Sequence, residues 1–409
     1  MPAQREAEQQ DQRDQCDHPR CGSRRHGPNI RPYGGWVKRL RDDDACPGAL
    51  QVHQAADGAL ARLRLPGGMI AARQLEALAH TAAEFGNGTL ELTARGNLQL
   101  RGVRDTAAVA DASAAAGLLP SPTHERVRNI VASPLSGRVG GAADVRPWVI
   151  ELDLAIQADA ELARLPGRFL FGLDDGRGDI SGFAADAGVH VHSDGVALLL
   201  AGRDTGVRVA PGDVVSALIT IARRFVEIRG TAWRVAELDD PSTLLAGFPT
   251  TAAPGAEYPP VLRPPVGWIA QDDGRVALGA AIPLGVLQSR QAEFVAAIDA
   301  PVIITPWRSV LVCDLDEPVA DTALRVLAPM GLVFDENSPW LDVSACVGSP
   351  GCEKSRADVR AEAARVALDE DARLRSGHVH YVGCERACGS PPAGQVFVAT
   401  AEGFRPASR

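Results

Sequence analysis

Polar and apolar positions alternate along TARGNLQLRG, residues 93–102: Thr93, Arg95, Asn97, Gln99 and Arg101 share one parity, and Leu92, Leu98 and Leu100 share the other. A period of two predicts a half-buried strand, here with an outer face made of hydrogen-bonding and cationic side chains. The stretches around it follow a wider scheme. DGALARLRLPGGMIAARQLEAL from Asp57 reads as strand, Gly/Pro turn and amphipathic helix, and GTLELTARGNLQLRGV from Gly88 supplies a further strand.

The scheme recurs. DGRVALGAAIPLGVLQSRQAEF from Asp273 and APVIITPWRSVLVCDL from Ala300 repeat strand, turn, helix and strand in the same order. VRNIVASPLSG then finds a partner in WLDVSACVGSPGC, and GVHVHSDG from Gly188 an echo in GHVHYVGC from Gly377. Four segments in one order predict an internal duplication and a pseudo-symmetric architecture. Between the copies, residues 241–265 contain seven prolines and read as a linker. Residues 1–40 lack periodicity and read as a disordered arm; Cys16, His18, Cys21 and His26 lie in it without a scaffold to order them as metal ligands.

Length and charge narrow the function classes. A chain of 409 residues holds two or more compact units, and a net charge of −9 speaks against a general nucleic-acid binder, so any anion site is local. Neither a run of 18 apolar residues nor the apolar stretch of a signal peptide appears, and the expected location is cytoplasmic. Eight cysteines are too few for a disulfide scaffold at this size, and in a reducing compartment clustered thiols serve metal or redox chemistry.

Four of them cluster. Cys346-x5-Cys352 and Cys384-x3-Cys388 form two close pairs among glycines and a proline, a pattern able to hold a 4Fe–4S cube with one sulfur per iron. Structural zinc uses shorter loops, of two to four residues, and separate buried thiols are the third reading. Cys313 sits alone in an apolar strand and reads as core, as does Cys46 in CPGALQ. The first copy offers arginines instead: Arg62 and Arg64 on one strand face, Arg95 and Arg101 on another, with Arg128, Arg138 and Arg168 beyond. Guanidinium forks pair bidentately with carboxylate, so with Asn97 and Gln99 they form a candidate surface for a polycarboxylate such as a tetrapyrrole. The pairs His190/His192 and His378/His380 are weaker metal candidates, and no G-x-G-x-x-G follows a strand.

With CPGALQ, LTARGNLQLRGV and the paired cysteine motifs, residues 45–400 resemble the nitrite/sulfite reductase superfamily, within it the branch that hydroxylates a tetrapyrrole with dioxygen in aerobic cobalamin synthesis. The resemblance implies an α+β chain with a duplicated architecture: two ferredoxin-like half-domains and two larger α/β domains. Its boundaries fall at 41–110 and 266–328 for the half-domains, and at 111–240 and 329–409 for the α/β domains, the latter binding the cluster. It further implies metal ligation by Cys346, Cys352, Cys384 and Cys388, and Cys388 as the residue that bridges to a sirohaem iron in the reductases. Catalytic roles pass to Arg64, Arg128 and Arg168, and cofactor contacts to Arg62, Arg95, Asn97, Gln99 and Arg101. Leu170 stands where the reductases carry a second lysine, and the tail of GCERACGSPP departs from theirs. The implied partners are precorrin-3A, dioxygen and a reductant, NADH or a reduced carrier protein, with sirohaem or a mononuclear iron beside the cluster; the alternative is a ferredoxin-dependent sulfite or nitrite reductase.

Overall fold

The structure, a computed structural model, describes residues 46–369 and 377–407. The N-terminal arm, with Cys16, His18, Cys21 and His26, lies outside the described residues.

The first copy of the repeat contains β1 (His53–Ala55), β2 (Gly58–Leu63), β3 (Met69–Ile70), α1 (Ala72–Phe85), β4 (Thr89–Leu92), β5 (Leu98–Val103) and α2 (Thr106–Ala115). Helix α1 forms where Leu75, Leu78, Ala79 and Ala82 recur at helical spacing, and all four are buried. Its first turn is closed by Gln74, whose Oε1 accepts from the Ala71 N–H at 3.0 Å.

The α/β domain that follows contains β6 (Ile130–Ala132), α3 (Arg146–Ala158), β7 (Phe171–Asp174), β8 (Ala187–His192), β9 (Gly195–Leu200), β10 (Arg203–Val209) and α4 (Val214–Ile228). Past the proline-rich segment come β11 (Gly267–Ala270), β12 (Val276–Ala281), β13 (Val286–Gln288), α5 (Ser289–Ala296), β14 (Val302–Ile304), β15 (Ser309–Leu315) and α6 (Glu317–Leu327). The last domain holds β16 (Val343–Ala345), α7 (Val359–Leu368), β17 (Val379–Val382), β18 (Gln395–Thr400) and β19 (Gly403–Pro406).

The duplication is expressed as an exchange of strands. One sheet runs β1-β2-β5-β4-β13 and its counterpart runs β11-β12-β15-β14-β3, so each half-domain lends its short third strand to the other. Both halves feed one apolar core, in which Leu63, Leu75 and Leu100 pack with Leu278, Leu287 and Val310. Neither half closes its sheet alone, which is why the two act as one unit. The exchange brings backbones very close. A Cβ on Gly68 would lie 2.0 Å from the Ile304 carbonyl, and one on Gly96 2.8 Å from the same oxygen, so both positions demand glycine.

The larger domains repeat as well. β6, β7 and β8 run parallel with β9 and β10 antiparallel beyond them; β16, β17 and β18 run parallel and β19 returns antiparallel. Two expectations are corrected here. Residues 93–97 are a tight turn between β4 and β5 and not the start of one strand, because Gly96, at φ 65°, reverses the chain and the Thr93 N–H bonds the Asn97 carbonyl at 2.9 Å. The two H-V-H segments are also not equivalents: His190 and His192 lie on β8, whose counterpart is β18, whereas His380 lies on β17, whose counterpart is β7.

Candidate functional site

The paired cysteines sit where the fold delivers them side by side. Cys346 follows β16 directly and Cys384 lies two residues past β17; these strands are parallel neighbours, so both thiols emerge at carboxyl ends, the usual place for a site on such a sheet. The Cys346 N–H bonds the Tyr381 carbonyl at 2.9 Å, and the Gly383 N–H donates to Cys346 Sγ at 3.3 Å. The Cys352 N–H closes the first loop on the Gly348 carbonyl at 2.8 Å, and the Ala387 N–H closes the second on Cys384 at 3.1 Å. The Cys388 thiol is pushed up by burial and then by Cys346, Cys384 and Cys352, with Arg386 opposing, so all four sulfurs share one neighbourhood.

Among the described residues only Asp174, Asp175 and Asp179 bring three ligand atoms within 4.8 Å of one another. Four soft thiols, one of them met by a backbone amide, fit a 4Fe–4S cube, whose ligands sit on four different irons. Cys313 is fully buried, its thiol pushed up to about 11 by burial, and it belongs to the core as expected.

The polar face of β5 turns out to be covered by protein. Arg101 forms a bidentate pair with Asp57, at 2.9 and 2.8 Å, and its Nη2 also donates to the Gly351 carbonyl at 2.7 Å, pinning the loop beside Cys352 to the first half-domain. Gln99 accepts from Arg62 and donates to Glu91 Oε2 at 2.7 Å, and Arg360 of α7 closes the chain on the other Glu91 oxygen. Asn97 accepts from the Leu65 N–H at 2.8 Å and reaches Asn129 at 3.4 Å. These three expected ligand contacts thus join domains to each other. Arg128 is likewise committed, forked onto Asp153 of α3 at 2.6 and 2.8 Å, and Arg138 forks onto Asp314.

Among the described residues, Arg62, Arg64 and Arg95 find no carboxylate partner. Arg64 is 3% exposed and donates only to the Pro47 carbonyl, at 3.2 Å; its Nε and Nη1 are buried without a hydrogen-bond partner. Burial and the neighbouring Arg62 guanidinium hold its pKa down at about 9. Arg95 bonds only the Gly167 and Arg168 carbonyls and is held at about 10 by burial, Arg234 and Arg168. Arg62 is lowered mainly by burial, with Cys46 and Glu91 pulling the other way and Arg101 adding to the lowering. An orphaned buried guanidinium is expensive, and several repelling one another more so, unless an anion completes the site.

Sequence reasoning missed what builds this corner. The buried Glu125 carboxylate accepts from the backbone N–H groups of Ala49, Leu50 and Gln51 at 2.7, 3.0 and 3.1 Å, which clamps the CPGALQ loop over Arg64. A Cβ on Gly48 would lie 2.3 Å from Glu125 Oε1, so a larger residue there would displace the clamping carboxylate. Cys46 thereby joins Arg62, Arg64 and Arg95. The histidines are spent on internal bonds: Ser181 and Tyr258 for His190 and His192, Ser344 for both His378 and His380. Leu170 is 4% exposed within an apolar cluster with Val131 and Phe183.

Residues 53–114 match the nitrite/sulfite reductase ferredoxin-like half domain, which agrees with the duplicated α+β architecture. The chain is 29% identical over 378 residues to a precorrin-3B synthase of a Sinorhizobium species, covering 88% of this chain and 81% of that one. It is 24% identical over 386 residues to a ferredoxin–nitrite reductase of Synechococcus elongatus, covering 82% and 75%. The NirA protein of Mycobacterium tuberculosis shares the fold, with a TM-score of 0.70 at 19% identity over 83% of this chain and 71% of that chain. The relatives are oxidoreductases, and among the described residues no helix is long and apolar enough to cross a membrane.

Proposed function

We propose that this chain is a precorrin-3B synthase, which hydroxylates precorrin-3A with dioxygen and lets an acetate arm close a lactone during aerobic cobalamin synthesis. The observation that carries the reading is the orphaned Arg64 guanidinium between Arg62 and Arg95. A macrocycle fringed with carboxylates supplies what these cations lack, and bidentate forks hold such arms in fixed orientation. Arg168, beside Arg95, completes the cationic set.

Cys346, Cys352, Cys384 and Cys388 would hold the 4Fe–4S cluster, which when bound relays electrons from an external reductant, NADH or a reduced carrier. Arg101 spans the gap between the two sites, with Asp57 on one side and the Gly351 carbonyl on the other, so cluster loop and arginine corner move together. The Glu125 clamp keeps the CPGALQ loop over the corner and excludes water from it, which strengthens every charge pair formed inside. Whether the second iron is sirohaem or mononuclear, the residues named here bind and orient the substrate's acid arms.

The alternative, a ferredoxin-dependent sulfite or nitrite reductase with sirohaem, calls for a pocket of cations around a small oxyanion. Leu170 places a buried aliphatic chain at one such position, and Arg128 is already spent on Asp153. The test is turnover by protein purified without air, given precorrin-3A, isotopically labelled dioxygen and a reductant. Incorporation of one labelled oxygen atom into the product supports the synthase; reduction of sulfite or nitrite with no change in the tetrapyrrole overturns it.

A further inference from the structure

One polar row crosses the sheet of the first half-domain. Arg62 on β2, Gln99 on β5 and Glu91 on β4 stand directly opposite one another in the antiparallel register, and such neighbours share a face and touch. A carboxylate only accepts hydrogen bonds, so Gln99 turns its amide nitrogen to Glu91 Oε2, at 2.7 Å, and its carbonyl to Arg62, which meets it with Nε at 3.2 Å and Nη2 at 2.8 Å. The row therefore has a fixed polarity and ends on the arginine corner. With the Gln99 amide reversed, donors would face donors at Arg62.

The duplication shows that the fold itself does not ask for this row. Its counterpart across β12, β15 and β14 is Gly279, Leu311 and Ile303, in the same register, and the last two are buried in an apolar cluster. Glu91 is 4% exposed, and a carboxylate at a depth where the second copy places isoleucine is costly unless its oxygens are engaged. Arg360 takes the other oxygen, from the cysteine side. It lies in the first turn of α7, where Asp358 accepts from the Arg360 and Ala361 N–H groups at 3.1 and 3.0 Å. The segment from Cys352 to α7 folds back on the loop between Cys346 and Cys352. The Ser349 N–H bonds the Ala357 carbonyl at 3.0 Å, and Val359 packs so closely that a Cβ on Gly348 would lie 2.7 Å from its Cγ2. Cysteine loop and helix start form one piece, and Arg360 carries its placement to Glu91.

We propose that Glu91 is a positioning residue for the arginine corner: acting through Gln99, it holds the Arg62 guanidinium in the orientation that receives a substrate carboxylate, and Arg360 makes that hold depend on the seating of the cysteine loop. Gln99 occupies Nε and Nη2 of Arg62, so a ligand arm is met from the Nη1 edge. A guanidinium whose plane is set in advance loses less freedom when it grips a carboxylate. The inference rests on the reading that the corner binds a macrocycle fringed with carboxylates, and it adds Glu91 and Arg360 as residues that govern the grip without touching the ligand.

Uroporphyrin, a planar tetrapyrrole fringed with carboxylates, is a suitable probe, read by equilibrium dialysis against full-length protein purified without air. Glu91→Gln should weaken its binding about tenfold, the worth of one misplaced charge-assisted hydrogen bond. Charge alone predicts the opposite sign, since removing a carboxylate beside the corner would tighten an anion. In an Arg62→Met background the same change should cost nothing further, whereas a merely structural Glu91 would cost as much there as in the native chain. Arg360→Met should weaken the probe in the same way and Arg360→Lys restore it; Arg360 is partly exposed, so this pair carries the comparison if Glu91→Gln does not fold. Absence of saturable binding to the native chain would overturn the proposal together with the reading it rests on. Unchanged or tighter binding in Glu91→Gln, an equal loss in the Arg62→Met background, or no difference between Arg360→Met and Arg360→Lys would overturn the proposal alone.

Discussion

Replacing Arg64 by methionine should make the ligand-free protein more stable and the ligand-bound protein no better. The guanidinium is 3% exposed, two of its nitrogens have no partner, and burial holds its pKa near 9, well below the ordinary guanidinium value. Arginine does not give up its proton at neutral pH, so the displacement appears as a penalty on the folded state of at most ~5 kcal/mol. The sign follows from the direction. A cation whose pKa is lowered on folding destabilises at all pH values below the folded pKa, and relief begins only as pH rises through about 9. Methionine keeps the stem's packing and removes the charge; exchanges of this kind at buried ionic sites are neutral or stabilising by ~1–4 kcal/mol. Urea unfolding at pH 7 without ligand should therefore show Arg64→Met more stable by ~1–3 kcal/mol, within that same range. Adding a polycarboxylate porphyrin should stabilise the native protein and leave Arg64→Met nearly unmoved. A variant less stable than the native chain without ligand, or one stabilised equally by the porphyrin, would refute the reasoning.

Three further outcomes follow from the contacts. Asp57→Asn leaves Arg101 buried beside Gly351 with half its fork, and should cost ~3 kcal/mol in denaturant unfolding and hasten loss of bound iron under a chelator. Glu125→Ala orphans three backbone donors at Ala49, Leu50 and Gln51; hydrogen exchange at these amides should rise while the β12 and β15 amides stay protected, with a stability loss of ~2 kcal/mol. Asp314 is held down at about 2 by its fork with Arg138. Its contribution is fully present above about pH 4 and fades as pH falls through 2, so Asp314→Asn should cost ~2 kcal/mol at pH 7 and almost nothing near pH 2.

Much of the fold was legible because the duplication writes each element twice. Strand, Gly/Pro turn, helix and strand from Asp57 and from Asp273 appear as β2–β5 and β12–β15. The exchange of β3 and β13 was not legible, since two- and three-residue strands carry no period to read. TARGNLQLRG misled for a related reason: parity survives across a tight turn, so Thr93 and Arg95 continued a pattern whose strand begins at Leu98. The four cysteines could be grouped from spacing alone. The arginines could not be sorted into paired and orphaned ones, because the partners of Arg101, Arg128 and Arg138 lie 44, 25 and 176 residues away in sequence. Only the folded chain separates Arg101, which holds domains together, from Arg64, whose Nε and Nη1 are buried without a hydrogen-bond partner.

The account rests most heavily on an iron cube held by Cys346, Cys352, Cys384 and Cys388. Iron and acid-labile sulfide in protein purified without air test it directly. The account predicts about four sulfides and at least as many irons per chain, both lost in Cys384→Ser. Stoichiometric zinc with no sulfide, or iron and sulfide retained in that variant, would contradict it.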